Sequence, residues 1–256
     1  MLTSQQIDFY NENGYLLVKG MFKREEMATL REECHTLIAR LSQLRSVDAT
    51  WGSAREAVPE AKDTKLLHCH NVQYHSGAFT RLICDERFTA AAADLIGSPN
   101  VQLHHTKMFI KPPEKGSPFP MHQDAPYFPH DKHSMIAGII HFDGASLEKG
   151  CVRVVPGSHK LGILEHIPTG GWHLPFEQYP INEALACEAG IGDVLFFSYL
   201  TIHGSNINAS HEARTTLLVQ MRDPTDMPSK KTHESRGQGM MLRGIDPLAR
   251  SGSDVS

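Results

Sequence analysis

The chain has 256 residues, 40% hydrophobic and 21% charged, and its 25 Lys+Arg against 29 Asp+Glu leave a formal net charge of −4 with sixteen histidines counted neutral. That mild acidity gives no global electrostatic case for nucleic acid or an anionic membrane, and no run approaches the ~18 apolar residues of a spanning helix. At this length folding takes roughly 70–75% of the unfolded surface out of water, so a metal is not needed for stability and one found here needs a functional reason.

The five cysteines, Cys34, Cys69, Cys84, Cys151 and Cys187, are odd in number, widely spaced and without a C-x-x-C pair. Neither a disulfide framework nor a zinc knuckle is suggested, so a reducing, cytoplasmic setting is expected. Met1 to Tyr10 lacks the basic-then-apolar pattern of a secretory leader, and Ser253 to Ser256 is neither a prenylation box nor a peroxisomal address.

In chain order, Thr3 to Tyr10 predicts a short capped helix and Tyr15 to Val18 a short strand. Met27, Leu30, Cys34, Leu37, Ile38 and Leu41 then recur at helical spacing, with Arg24, Glu25, Arg31, Glu32 and Arg40 left for solvent. Residues 42 to 65 are charged and irregular, as in a surface loop. A second helical region is predicted from about Phe79 to Ile96, stopped by Gly97-Ser98-Pro99.

After residue 100 the period becomes extended. Val101 to Lys111, Met135 to Phe142, Cys151 to Val155, Val194 to Phe197 and Thr215 to Met221 are strand-like runs between Pro/Gly/Asp turns. The long Gly/Pro-rich connection over 157 to 192 carries Trp172, His173, Phe176 and Tyr179, and is read either as a lid or as closure of one end of a barrel. From Pro228 the polar, glycine-rich sequence predicts a mobile tail in which Met240-Met241-Leu242 packs either as a flap or by docking on the core. Helices first and strands afterwards argue for α+β, or for a β-barrel in a helical jacket. We expect a single domain over 1–256, with a helical N-terminal region over 1–97, a β core over 98–223 and a tail over 224–256.

His122-Gln123-Asp124 places an imidazole and a carboxylate two residues apart, the spacing at which side chains leave the same face of an extended strand. With sixteen histidines and thirteen aspartates, about one such match arises by chance. A second copy, His141-Phe142-Asp143, ends an apolar run and reads better as a strand end followed by a turn. His122 instead follows the Pro/Gly loop Pro112 to Pro120, where a ligand can face a pocket mouth. His203, just past the apolar run Val194 to Phe197, is the candidate third ligand.

Two neutral imidazoles and one carboxylate form a facial triad that holds ferrous iron on one side and leaves room for a bidentate 2-oxo acid and dioxygen. Arg214, in the next strand, has the planar fork that grips a far carboxylate such as that of 2-oxoglutarate. Ser205 lies two residues beyond His203 and could add a hydroxyl. Gln123 and Tyr127 flank the metal segment and are candidate substrate contacts.

At these residues the sequence resembles the phytanoyl-CoA dioxygenase family of iron(II)- and 2-oxoglutarate-dependent oxygenases. The resemblance runs through Lys111-Pro112-Pro113, His122 to Pro129, Lys149 to Lys160 with its Pro156-Gly157-Ser158-His159 turn, Gly192 to Phe197 and His203-Gly204-Ser205. It implies His122, Asp124 and His203 on iron and Arg214 and Ser205 on 2-oxoglutarate. Lys107 falls where relatives often face the cosubstrate, whereas Ile139 and Ile140 stand where many have an aromatic residue. The implied fold is mainly β, a double-stranded β-helix (jelly roll, cupin-like) with N-terminal α-helices packed outside. The expected activity hydroxylates an unactivated C–H bond of a small organic metabolite with release of succinate and CO2. Asp124 separates the chain from halogenating relatives, which have a small residue there. Two other readings stay open: a cupin-type metal-dependent hydrolase or isomerase, and a non-enzymatic jelly-roll binding protein with a vestigial metal site. Arg214 discriminates against the hydrolase, which has no use for a carboxylate grip. The sequence implies no nucleic-acid or membrane partner, and it leaves the oligomeric state and the substrate open.

Overall fold

Helix α1 (Ser4–Asn13) starts where the Thr3 hydroxyl accepts from the Gln6 amide and the Gln6 side chain accepts from the Thr3 amide, a reciprocal cap. It stops at Gly14, whose φ of 76° and whose position against His159, 2.3 Å from an added Cβ, admit only glycine. The computed structural model in which these elements are seen describes residues 1–57, 59–232 and 234–249. Strand β1 (Tyr15–Val18) and helix α2 (Arg24–Ser42) follow as expected, and the buried face of α2 is Met27, Leu30, Cys34 and Ile38. Burying side chains of this size stabilises by about 1.5–3 kcal/mol each, which is why periodicity alone locates the helix.

Two expectations in the N-terminal region need correction. Residues 42 to 65 are more than a surface loop: α3 (Gly52–Ala57) lies there with a 3-10 turn, and Val47, Ala54 and Ala61 are buried. Strand β2 (Leu67–His70) follows it. Both are too short to carry a period. The predicted helical region 79 to 96 is two helices, α4 (Gly77–Ile83) and α5 (Glu86–Ile96), because the Asp85 carboxylate caps the second by accepting from the Arg87 amide at 2.9 Å.

The strands beyond are β3 (Val101–Lys111), β4 (Phe119–His122), β5 (Ile136–His141), β6 (Val152–Val154), β7 (Leu185–Cys187), β8 (Val194–Ser198), β9 (His203–Ser205), β10 (Arg214–Arg222) and β11 (Met241–Arg243). They form two antiparallel sheets of the double-stranded β-helix type. The larger runs β1-β8-β5-β10-β3, with β2 and β11 both pairing with β3, and the smaller runs β4-β9-β6-β7. Alternation, shifted once in β3 by the bulge opposite Gln220 and Met221, divides the large sheet. Leu103 and Met108 of β3, Val194 and Phe196 of β8, and Leu217 and Val219 of β10 join Met27, Phe79 and Phe88 in the core under the helices. Leu195 and Phe197 turn the other way, with Ile139, Val152 and Val154, into the space between the sheets. Lys107, Phe109 and Lys111 of β3 share the parity opposite to Met108 and Ile110, which sends them inward.

Met240-Met241-Leu242 docks as expected, and the stretch around it is a paired strand in place of a mobile tail. Met241 pairs with Gln102, and Arg243 with Val101. Leu242 is buried, and Ser235 reaches the central cavity. The apolar Met240-Met241-Leu242 run outweighs its polar surroundings, as a docked strand covers the edge of β3. Residues 250–256 of the expected tail lie outside the described residues. Within 157 to 192, the backbone is stitched inward by β7 and by Leu174, whose amide donates to Met121 O at 2.8 Å. Among the described residues no helix is long and apolar enough to cross a membrane.

One glycine sets the approach of β4 to β9. A Cβ at Gly204 would stand 2.7 Å from Phe119 O and 2.8 Å from Met121 Sδ, so the two strands would have to part. Gly204→Ala is expected to cost about 1–3 kcal/mol, the usual range for overpacking, and to lower the thermal midpoint by several degrees. An unchanged midpoint in thermal unfolding would contradict this packing.

Candidate functional site

Strands β4 and β9 pair so that His122 and His203, far apart in the chain, are Cα partners, with ring centroids 4.2 Å apart. Asp124 follows just past the end of β4, where its own amide and that of Ala125 both donate to Tyr199 O at 3.0 Å. That anchor turns its carboxylate back toward the rings. Oδ1 lies 3.7 Å from His122 Nε2 and 3.9 Å from His203 Nε2. One donor atom from each of the three residues falls within 4.8 Å of the others, the one such cluster among the described residues.

Each ring is fixed from behind. His122 Nδ1 is 2.8 Å from Pro120 O and His203 Nδ1 is 3.0 Å from Thr201 O. A carbonyl only accepts, so in both rings Nδ1 carries a hydrogen and Nε2 is the atom turned toward Asp124. Burial, reinforced by the neighbouring His203, holds His122 well below the usual imidazole range, which keeps it the neutral base that a cation requires. Burial also raises the Asp124 carboxyl, against the opposing pull of His203 and of a hydrogen bond from Gln220. Gln220 Nε2 donates to Asp124 Oδ2 at 2.5 Å, leaving Oδ1 for the centre of the cluster. One carboxylate and two imidazoles facing one point match the donor set of a ferrous site.

A second group of polar residues lies deeper. Arg214 opens β10, is 3% exposed, donates through one Nη to Gly150 O, and has a buried Nε without a hydrogen-bond partner. Its Cα partner on β3 is Lys111. The Lys111 side chain is 0% exposed, and Nζ donates to Ser205 Oγ at 2.8 Å and to Asn206 O at 2.5 Å. Burial first, and Arg214 second, hold this ammonium well below its ordinary range, and burial brings Arg214 down to about 10. Two buried cations, one with a vacant donor and neither with a carboxylate partner, are costly unless an anion joins them. A dicarboxylate such as 2-oxoglutarate supplies one.

Between these groups lies a cavity of ≈ 310 Å³ whose lining includes Asp124, His122, His203, Ser205, Arg214 and Lys107. Tyr127 also lines it, and its hydroxyl donates to Trp172 O at 3.0 Å. Ile139 forms the wall at the place where the resemblance leads one to expect an aromatic ring. Trp51, from the stretch with no regular pattern in the sequence, packs at a tilt 4.8 Å from the His122 ring and edge-on 5.4 Å from Phe119, and lines the cavity.

Gln123 is a correction. Its neighbours suggest a substrate contact, but its alternate position on the extended segment turns it away from the cavity. It is fully buried, Nε2 donates to Gly162 O and Leu200 O, and Oε1 accepts from the Leu164 amide. It clamps the 157 to 192 connection to β4. The aromatic residues of that connection lie outside the cavity lining: Trp172 packs behind Tyr127, and His173 stacks on Phe176. His141 Nδ1 lies 3.1 Å from Asp193 O, and Asp143 accepts from the Thr215 amide, a strand end and its turn. His159 Nε2 reaches Asn11 O across the Gly14 turn.

Sequence reasoning misses the roles of Lys111, Gln220 and Trp51. Lys111 is legible as a lysine of inward parity within the apolar run Val101 to Lys111, although the proline corner after it draws the eye first. Gln220 has a similar signal on β10. Trp51 has none, since its place depends on how α3 folds over the barrel.

The protein-family model described as phytanoyl-CoA dioxygenase matches residues 10–216. The chain is 28% identical over 228 residues to a probable alpha-ketoglutarate-dependent hypophosphite dioxygenase of Stutzerimonas stutzeri, covering 86% of this chain and 78% of that protein. It is 30% identical over 234 residues to the human peroxisomal phytanoyl-CoA dioxygenase, covering 85% and 67%. The crystal structure of EctD from S. alaskensis with 2-oxoglutarate and 5-hydroxyectoine superposes with a TM-score of 0.75 at 20% identity, over 94% of this chain and 86% of that one.

Proposed function

The chain belongs to the phytanoyl-CoA dioxygenase family and is an Fe(II)- and 2-oxoglutarate-dependent dioxygenase, and from that premise we propose how its own residues divide the work. His122, Asp124 and His203 hold the iron. Arg214, Ser205 and Lys111 hold the far carboxylate of 2-oxoglutarate. The reaction hydroxylates an unactivated C–H bond of a small organic molecule, releasing succinate and carbon dioxide. The observation that carries this reading is the convergence of two imidazole Nε2 atoms and one carboxylate oxygen, each ring oriented by a backbone carbonyl.

Iron held there would activate dioxygen at the expense of 2-oxoglutarate, one oxygen atom going to succinate and the other to the substrate carbon. The chain does the rest. Ligands on one side only leave the opposite side open for the two small molecules. Gln220 keeps Asp124 from turning both oxygens to the metal. Arg214 supplies a planar fork and Lys111 a point charge, which together fix the length and direction of a five-carbon diacid. Trp51, Phe119 and Tyr127 keep water from the reacting carbon. No side-chain base is called for. Arg214 and Lys111 also favour this reading over a metal-dependent hydrolase, which would leave two buried cations without a purpose. The molecules named with the relatives, hypophosphite, phytanoyl-CoA and the 5-hydroxyectoine bound to EctD, differ in charge and size, so none of them transfers to this chain by similarity.

Adding ferrous iron and 2-oxoglutarate to the apo protein without air is expected to produce a visible metal-to-ligand charge-transfer band. Admitting air should then give slow, substrate-independent succinate. A protein that binds ferrous iron and yet shows no band with 2-oxoglutarate would refute the assignment.

A further inference from the structure

We propose that the substrate carries an anionic, oxygen-rich head group, such as a phosphonate or carboxylate, which pairs with Lys107 while its hydrocarbon portion lies against Trp51 and Tyr127. The inference rests on the oxygenase reading of the pocket and names the substrate class of that site.

The first observation is a cation left over. Once 2-oxoglutarate is in place, its far carboxylate has Arg214, Lys111 and Ser205, and its 2-oxo acid end faces the iron. Lys107, which the sequence resemblance places toward the cosubstrate, is in neither set in this proposal. It stands opposite Leu218 on β10, four residues along that strand from Arg214, a separation of roughly 13 Å at the usual strand rise. Among the described residues its Nζ has no hydrogen-bond acceptor; the group it approaches is the face of Phe109, 4.9 Å from the ring centroid. Burial lowers this ammonium to about 8, with Asp124 acting in the opposite sense. A partly buried lysine with no hydrogen-bonded acceptor among the described residues, whose nearest carboxylate is the proposed metal ligand Asp124, can receive an anion.

The second observation is the sign of the whole lining. Asp124 is the one carboxylate among the described residues that line the cavity, and the iron takes it. Around Lys107 stand His70, its Cα partner on β2, and His105, two residues back on the same face of β3. Both are imidazoles, so neither adds negative charge to this end. A cationic or zwitterionic substrate would find no carboxylate beyond the metal ligand to receive its positive group.

The third observation sets size and shape. Trp51 lies 4.8 Å from the His122 ring and 6.1 Å from Tyr127, so the apolar wall adjoins the metal centre directly. The ≈ 310 Å³ cavity must also hold 2-oxoglutarate, which leaves room for a compact molecule only. Head group at Lys107 and chain against Trp51 would then bring a C–H bond to the open side of the triad.

The test uses the anaerobic complex of protein, ferrous iron and 2-oxoglutarate, titrated with four probes of similar size: propylphosphonate, butanoate, butan-1-ol and butan-1-amine. Binding is read from tryptophan fluorescence, since Trp51 and Trp172 both flank Tyr127. An anion is expected to bind roughly tenfold or more tightly than the alcohol and the amine, the worth of one charge-assisted hydrogen bond. Phosphonate against butanoate distinguishes the two kinds of head group. Lys107→Met should abolish that preference, and Lys107→Arg should restore some of it. Equal responses to all four probes, or no response to any, would overturn the proposal. So would a Lys107→Met protein whose 2-oxoglutarate titration, read from the charge-transfer band, shifts as far as its anion titration, because Lys107 would then serve the cosubstrate. Absence of the band in the unmodified protein would instead strike at the oxygenase reading.

Discussion

Asp124→Ala is expected to lower iron affinity and turnover by at least about 100-fold, because loss even of an outer partner of a ligand costs about 10–100-fold and Asp124 is itself a ligand in this reading. The substitution removes the anionic member of the triad. It also leaves the Gln220 amide, 2.5 Å from Asp124 Oδ2, without its acceptor. The remaining imidazoles, 4.2 Å apart at their centroids, offer too few donors and no negative charge for a ferrous ion. The fold should survive. Burial already disfavours the ionised carboxylate in the metal-free protein, so the side chain is held there at a cost that a cation relieves. Thermal unfolding should therefore give the apo variant a midpoint no lower than the apo parent, while added ferrous iron raises only the parent's midpoint. A variant that still gains stability from iron would remove Asp124 from the ligand set.

Arg214→Ala is expected to spare iron binding and weaken 2-oxoglutarate. Truncating one member of a buried charged pair costs about 2–5 kcal/mol, which corresponds to roughly 30- to several thousand-fold in affinity. The guanidinium is 3% exposed and its Nε has no hydrogen-bond partner among the described residues, so water cannot replace it in the role proposed for it. Arg214→Lys should rescue little, because a point charge cannot both keep the Gly150 carbonyl and present a fork. The measurement is the intensity of the anaerobic charge-transfer band against 2-oxoglutarate concentration. A half-saturation point within a factor of about two of the parent's would show that the far carboxylate is held elsewhere, since that factor is worth less than one hydrogen bond.

The two predictions separate because the structure places the two residue sets in different layers. Asp124 and His122 come from the small sheet and the turn beyond it, whereas Arg214 and Lys111 face each other across β10 and β3 of the large sheet. His203 and Ser205 sit on β9 and link the two, one pointing to each end. Gly204 between them is the residue that lets β9 approach β4 closely.

The stripe Met27, Leu30, Cys34 and Ile38, the extended runs of β3, β5, β8 and β10, the stop at Gly97 and the spacing of His122 and Asp124 were all determined by the sequence alone. Each depends on residues within a few positions of one another, where period and turn chemistry act directly. The short strands β2, β4, β7 and β9 and the helix α3 were not readable, since three to six residues carry no period and form only where a neighbour supplies hydrogen bonds. Tertiary structure likewise decided that Gln123 serves the scaffold, that Lys111 meets Ser205 and Gln220 meets Asp124, and that the tail pairs with β3. Those outcomes follow from strand register, which converts distance along the chain into contact across it.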